Sequence, residues 1–79
     1  MVLMICPCRD IKLKCKDFSE AYNELKKIYL GFWDEEEWNE EYNMSELKAE
    51  FEADGYIEFC DGDSIMTTEK FFEIYFEKP

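Results

Sequence analysis

The sequence predicts a small single α+β domain over residues 1–79, built from three helices, a β-hairpin and a short N-terminal strand. Three observations carry that reading. Apolar residues from Phe18 to Phe32 recur at three- and four-residue steps, the period of a helix with one buried face. Residues 11–16 alternate strictly between apolar and lysine, the period of a half-exposed strand. Gly55 is followed by an alternating stretch and then by the turn-forming run Asp61-Gly62-Asp63-Ser64, the order of a helix stop and a hairpin. Hydrophobic residues make up 47% and aromatic residues 18% of the chain, well above a disordered acidic tail, so a core can form. A chain of 79 residues leaves no material for a second core.

Taken in order, Val2-Leu3-Met4-Ile5-Cys6 reads as a short buried strand halted by Pro7. Ile11, Leu13 and Cys15 are expected on the inner face of the next strand, with Lys12, Lys14 and Lys16 outward. Asp17-Phe18-Ser19-Glu20 has the spacing of a capping box, and behind it Phe18, Ala21, Tyr22, Leu25, Ile28, Tyr29 and Phe32 form the apolar stripe of the first helix. Gly31 lies near its end. From Asp34 to Glu41 a second helix is expected, with Trp38 and Tyr42 one turn apart and acids at the positive end of the helix dipole. Asn43 or Ser45 caps a third helix whose inner row is Leu47 and Phe51 and whose outer row is Glu46, Glu50 and Asp54, with Gly55 as its stop. Tyr56–Cys60 alternates as a strand, the acidic turn follows, and Ile65-Met66-Thr67 returns antiparallel. Residues 68–79 fit either a strand or a helix; Thr67 or Thr68 followed by Glu69-Lys70 favours the helix.

The formal net charge of −11 is unevenly placed. Residues 1–27 hold Arg9, Lys12, Lys14, Lys16, Lys26 and Lys27 against four acids, whereas residues 28–79 hold three lysines against sixteen acids. Such a balance opposes approach to DNA, RNA or anionic lipid and favours basic protein surfaces. No apolar run is long enough to span a bilayer, and the first residues lack the pattern of a secretory signal, so the expected compartment is the cytoplasm.

The run "ELKAEFEADGYIEFCDGDSIMTTEKFFEIY" resembles the helix–glycine–wing pattern of winged-helix transcription regulators. Leu47 and Phe51 take the third-helix positions, Gly55-Tyr56-Ile57 lead into the wing, Asp61 to Ser64 form its tip, and Thr68-Glu69-Lys70 follow. The likeness covers about the last 35 residues and implies a winged-helix-like fold. It departs from the family in sign. A DNA-reading third helix presents Arg, Lys, Asn or Gln, while this one presents Glu46, Lys48, Glu50 and Glu52, and the wing tip presents Asp61 and Asp63. The resemblance therefore implies the fold and not the DNA-binding activity.

Chemistry has little foothold. The chain contains no histidine, which removes the usual general base, and twenty acids in so short a sequence make paired carboxylates a chance occurrence. No enzymatic activity and no cofactor are expected. Cys6, Cys8, Cys15 and Cys60 match a structural zinc site in number but lack paired C-x2-4-C knuckles, so free thiols are favoured over zinc or disulfides. The stretch "FWDEEEWNEEY" sets six acids among four aromatics, the pattern of an acidic surface with ring anchors. Expected partner-binding residues are Trp33, Asp34, Glu35, Glu36, Glu37, Trp38, Glu40, Glu41, Glu46, Glu50, Asp54, Asp61 and Asp63. The expected function is a non-enzymatic inhibitor or adaptor that docks on a basic, nucleic-acid-handling protein. In size and charge the chain resembles inhibitors encoded by phages and other mobile elements, including anti-CRISPR proteins and DNA mimics. The alternative is a winged-helix regulator, monomeric or a homodimer, that contacts DNA through Arg9, Lys12, Lys14, Lys16, Lys26 and Lys27.

Overall fold

The computed structural model of the chain describes residues 1–75. An N-terminal hairpin, β1 (Val2–Cys6) and β2 (Ile11–Cys15), precedes three helices, α1 (Phe18–Tyr29), α2 (Glu35–Glu41) and α3 (Met44–Asp54). A second hairpin, β3 (Tyr56–Glu58) and β4 (Ser64–Thr67), leads into α4 (Thr68–Tyr75). The four strands form one antiparallel sheet in the order β2-β1-β4-β3. The first strand therefore lies in the middle, which is why every residue of Val2–Cys6 is buried and why its sequence is apolar without alternation.

The pleat divides that strand between two layers. Val2, Met4 and Cys6 join Ile57 and Ile65 in the main core with α1, α2 and α3, whereas Leu3, Ile5 and Met66 form a smaller cluster flanked by Tyr56 and by Phe71 of α4. The sheet is thus covered by three helices on one face and one short helix on the other.

Local chemistry sets the ends of the elements. Asp17 accepts from the Glu20 backbone N–H at 3.0 Å and Glu20 accepts from the Lys16 backbone N–H, so the box that starts α1 reaches one residue further back than its simplest form. Asn43 caps α3 through the Glu46 N–H at 3.1 Å, and Gly55 ends it in the left-handed region at φ 73°, where a Cβ would be strained. The Thr67 hydroxyl accepts from the Lys70 N–H at 3.1 Å, and α4 follows, so residues 68–75 are helical. The remainder of the tail whose helix or strand character the sequence left open, residues 76–79, lies outside the described residues.

Three expectations are corrected. Leu13 sits on the core side of β2, opposite Met4, yet is 38% exposed, because β2 is an edge strand with no further strand beside it among the described residues. Phe32 does not close the apolar face of α1. The helix ends at Tyr29, and the Phe32 ring lies 57% exposed beyond it, beside the Tyr29 ring and with the Arg9 guanidinium over both. The third strand stops at Glu58 instead of Cys60. Asp61 and Gly62 both take positive φ; the Asp63 N–H donates to the Cys60 carbonyl at 2.9 Å across a short 3-10 turn, and the Phe59 N–H closes the hairpin by donating to the Asp63 carbonyl at 2.7 Å.

Candidate protein-binding surface

The acids of α2 and α3 stand on a platform of rings. Trp38 is fully buried: its indole N–H donates to the Tyr22 hydroxyl at 2.8 Å, and that hydroxyl donates to the Tyr42 carbonyl at 2.5 Å. Its ring packs 4.8 Å from Tyr42, 4.9 Å from Tyr29 and 5.9 Å from Phe59, centroid to centroid. Trp33, half-buried, meets Tyr29 edge-on and stacks on Tyr42 at 5.9 Å. These contacts pin α2, a helix of only 7 residues that would not hold in isolation. A reciprocal cap adds to them, with Glu37 accepting from the Asp34 N–H at 3.3 Å, and Lys26 of α1 reaches Glu35 at 3.0 Å.

With Trp38 inward, Asp34, Glu35, Glu36, Glu37, Glu40 and Glu41 are exposed, as are Glu46, Glu50 and Asp54 on α3 and Asp61 in the hairpin turn. Only Tyr42 and Asn43 separate the two helices. Glu46, Glu50 and Asp54 recur at four-residue steps, about 6 Å apart along the axis. Ten of the thirteen expected partner-binding residues are therefore exposed carboxylates, and Trp33 is partly accessible.

The remaining two are corrected. Trp38 belongs to the core and offers nothing to a partner. Asp63 is fully buried, because the 3-10 turn folds its side chain inward to receive the Tyr29 hydroxyl at 2.6 Å, with the Arg9 guanidinium 3.7 Å away. Its second oxygen, Oδ1, has no hydrogen-bond donor among the described residues. Burial, and then this hydrogen bond, push the Tyr29 hydroxyl well above its ordinary pKa. The Cys6 thiol, buried beside the same carboxylate, is pushed up to about 11, by burial first and by the Asp63 charge second. Neither Tyr29 nor Tyr22 stood out in the sequence as more than a core aromatic. Nothing local marks a tyrosine whose hydroxyl will meet an acid 34 residues away.

The cysteines are all free thiols. Cys6 and Cys15 are buried, Cys60 lies 2.8 Å from the Tyr42 hydroxyl, and exposed Cys8 reaches the Asp61 carbonyl at 3.6 Å. Among the described residues no three His, Cys, Asp or Glu side chains group so as to hold a metal ion. Of the six N-terminal cations, Arg9, Lys26 and Lys27 each face a carboxylate, of Asp63, Glu35 and Glu24 respectively. Lys12 and Lys14 are exposed on β2 instead, and exposed Lys16 follows its end. Among the described residues no helix is long and apolar enough to cross a membrane. Comparison with protein-family profiles, with curated proteins and with solved structures finds no match to this chain.

Proposed function

We propose that this protein is a non-enzymatic binding module of the cytoplasm that uses the carboxylates of α2 and α3 to occupy a basic surface of a nucleic-acid-handling protein, as an inhibitor or adaptor. The observation that carries this reading is the placement of the acids: exposed carboxylates on two consecutive helices, the first pinned by the fully buried Trp38 and its ring neighbours and the second by Phe51 against Phe18. Helix backbones already held in place need no ordering when a partner docks, so the cost falls on the side chains alone. The step between acids on α3 is of the order of phosphate spacing on a nucleic-acid backbone, which supports mimicry of nucleic acid by a phage or mobile-element inhibitor of the anti-CRISPR type. The course of the chain through α3, Gly55, the β3–β4 hairpin and Thr67-capped α4 supports a winged-helix-like reading with the sign of its binding surface reversed.

The test is capture from a native lysate by the immobilised protein and by a variant carrying Glu46→Lys, Glu50→Lys and Asp54→Lys. The wild type should retain a basic partner that added salt and duplex DNA both release, and the variant should lose it. Equal capture by the two proteins would overturn the reading. A DNA-binding regulator has less support, since three of its six expected cations are engaged by carboxylates of the same chain.

A further inference from the structure

The outer edge of β2 carries a second pattern that the acidic surface does not use. Among the described residues the strand has one neighbour, β1, so alternate residues of Ile11–Cys15 turn backbone N–H and C=O groups away from the sheet. Register with β1 sorts its side chains. Lys12 and Lys14 lie opposite Ile5 and Leu3, on the α4 side, and Leu13 lies opposite Met4, on the core side. On the α4 side an open groove of about 520 Å³ is lined by Leu3, Lys12, Lys14, Thr68, Phe71 and Phe72, with the Lys12 ammonium 4.9 Å over the Phe71 ring. Lysines on an edge strand are a familiar guard against unwanted pairing. That role does not account for Leu13, an apolar side chain at the middle of the edge, 38% exposed on the face where the core would continue if one more strand were present.

We propose that the β2 edge accepts an extended segment of a partner protein as a fifth strand, in which acidic residues face Lys12 and Lys14 and an apolar residue covers Leu13. Backbone pairing would supply affinity and the alternating side chains specificity. Charge complementarity selects the occupant. A second copy joined β2 to β2 would set lysines against lysines. A copy offering its opposite edge would bring only the 3 residues of β3, against mutual repulsion of −11 on each chain. An acidic, alternating segment of another protein avoids both the lysine–lysine pairing and the short β3 edge, and its acids meet Lys12 and Lys14 at contact distance, where the local pairs outweigh the screened net charge of −11.

The experiment uses the full chain, labelled with 15N, titrated to millimolar concentration with a blocked heptapeptide alternating Glu and Val. A peptide alternating Lys and Val is the control. The expected result is progressive shifts of the amides of residues 11–15, slower hydrogen exchange at alternate positions of that strand, and no response to the control. The variant Lys12→Glu/Lys14→Glu, altered only at exposed side chains, should bind the acidic peptide at least about tenfold more weakly and should respond to the basic one. Absent shifts in residues 11–15, unchanged binding by the variant, or concentration-dependent self-association through that edge would each overturn the proposal.

Discussion

Replacing Tyr29 with Phe isolates the hydroxyl that ties the hairpin turn to the helical layer. The ring keeps its neighbours, Trp38 at 4.9 Å, Phe32 at 5.2 Å and Trp33 at 5.7 Å, so no side-chain cavity opens. What is lost is a 2.6 Å donor to a buried carboxylate. A hydrogen bond to a charged group contributes about 1.5–3 kcal/mol. Asp63 would keep Arg9, at 3.7 Å, and the adjacent Cys6 thiol, neither as short a contact as the one lost, and its Oδ1 already lacks a donor among the described residues. The expected loss is therefore near the top of that range, about 2–3 kcal/mol, out of the ~4–12 kcal/mol typical of a domain this long. In urea the midpoint should fall by about 1–2 M, and Tm by roughly 10–20 °C. The decisive assay is a double-mutant cycle. In an Asp63→Ala background the hydroxyl retains only the Cys60 carbonyl at 3.3 Å, and Tyr29→Phe should then cost less than about 1 kcal/mol. Equal costs in both backgrounds would refute the clasp.

Two further measurements probe the platform and the thiols. Trp38→Ala should destabilise the protein by about 3–5 kcal/mol, whereas Glu36→Ala should stay within about 0.5 kcal/mol, both read from chemical denaturation; comparable losses would place Trp38 outside the core. A thiol-specific chromogenic reagent at pH 8 should modify Cys8 rapidly and Cys6 and Cys15 only as the chain opens, because burial, with Asp63 beside Cys6, pushes Cys6 up to about 11, and burial, with Glu20, Glu24 and Asp17 nearby, raises Cys15. The same groups predict alkaline loss of stability. Cys6, Tyr29 and Tyr42 hold their protons more tightly folded than unfolded, so their contribution is complete below pH 9.0 and is lost as pH climbs toward 11 and beyond; stability rising across that window would contradict the assignment.

What was legible in the sequence was whatever periodicity and capping decide. The stripe from Phe18 as far as Tyr29, the cap at Asn43, one of the two positions expected, and the Gly55 stop each depend on neighbours within a turn. Burial that depends on distant partners was not legible. Asp63 sits in a run of turn residues that reads as exposed, and its inward rotation follows from Tyr29 and Arg9, which the fold brings to it. Leu13 shows the converse: its face was correct, but its exposure depends on β2 being the last strand of the sheet, a matter of topology that no local pattern encodes.

The opposition between rings and acids in "FWDEEEWNEEY" is resolved by dividing the segment, and the division bears on how such a surface would bind. Rings offered as anchors would tie affinity to apolar burial and leave it nearly indifferent to salt. With Trp38 sealed in the core and Trp33 stacked on Tyr42, the side chains available along α2 are mainly carboxylates. A partner would then be attracted over distance by the field and held by charge pairs at an exposed rim, which are individually weak and screened by salt. Strong binding on those terms requires many pairs made at once on both α2 and α3. Neutralising acids one at a time should therefore weaken capture in small, similar steps, with the salt dependence declining alongside, and a single substitution that abolished capture would point to a concealed anchor instead.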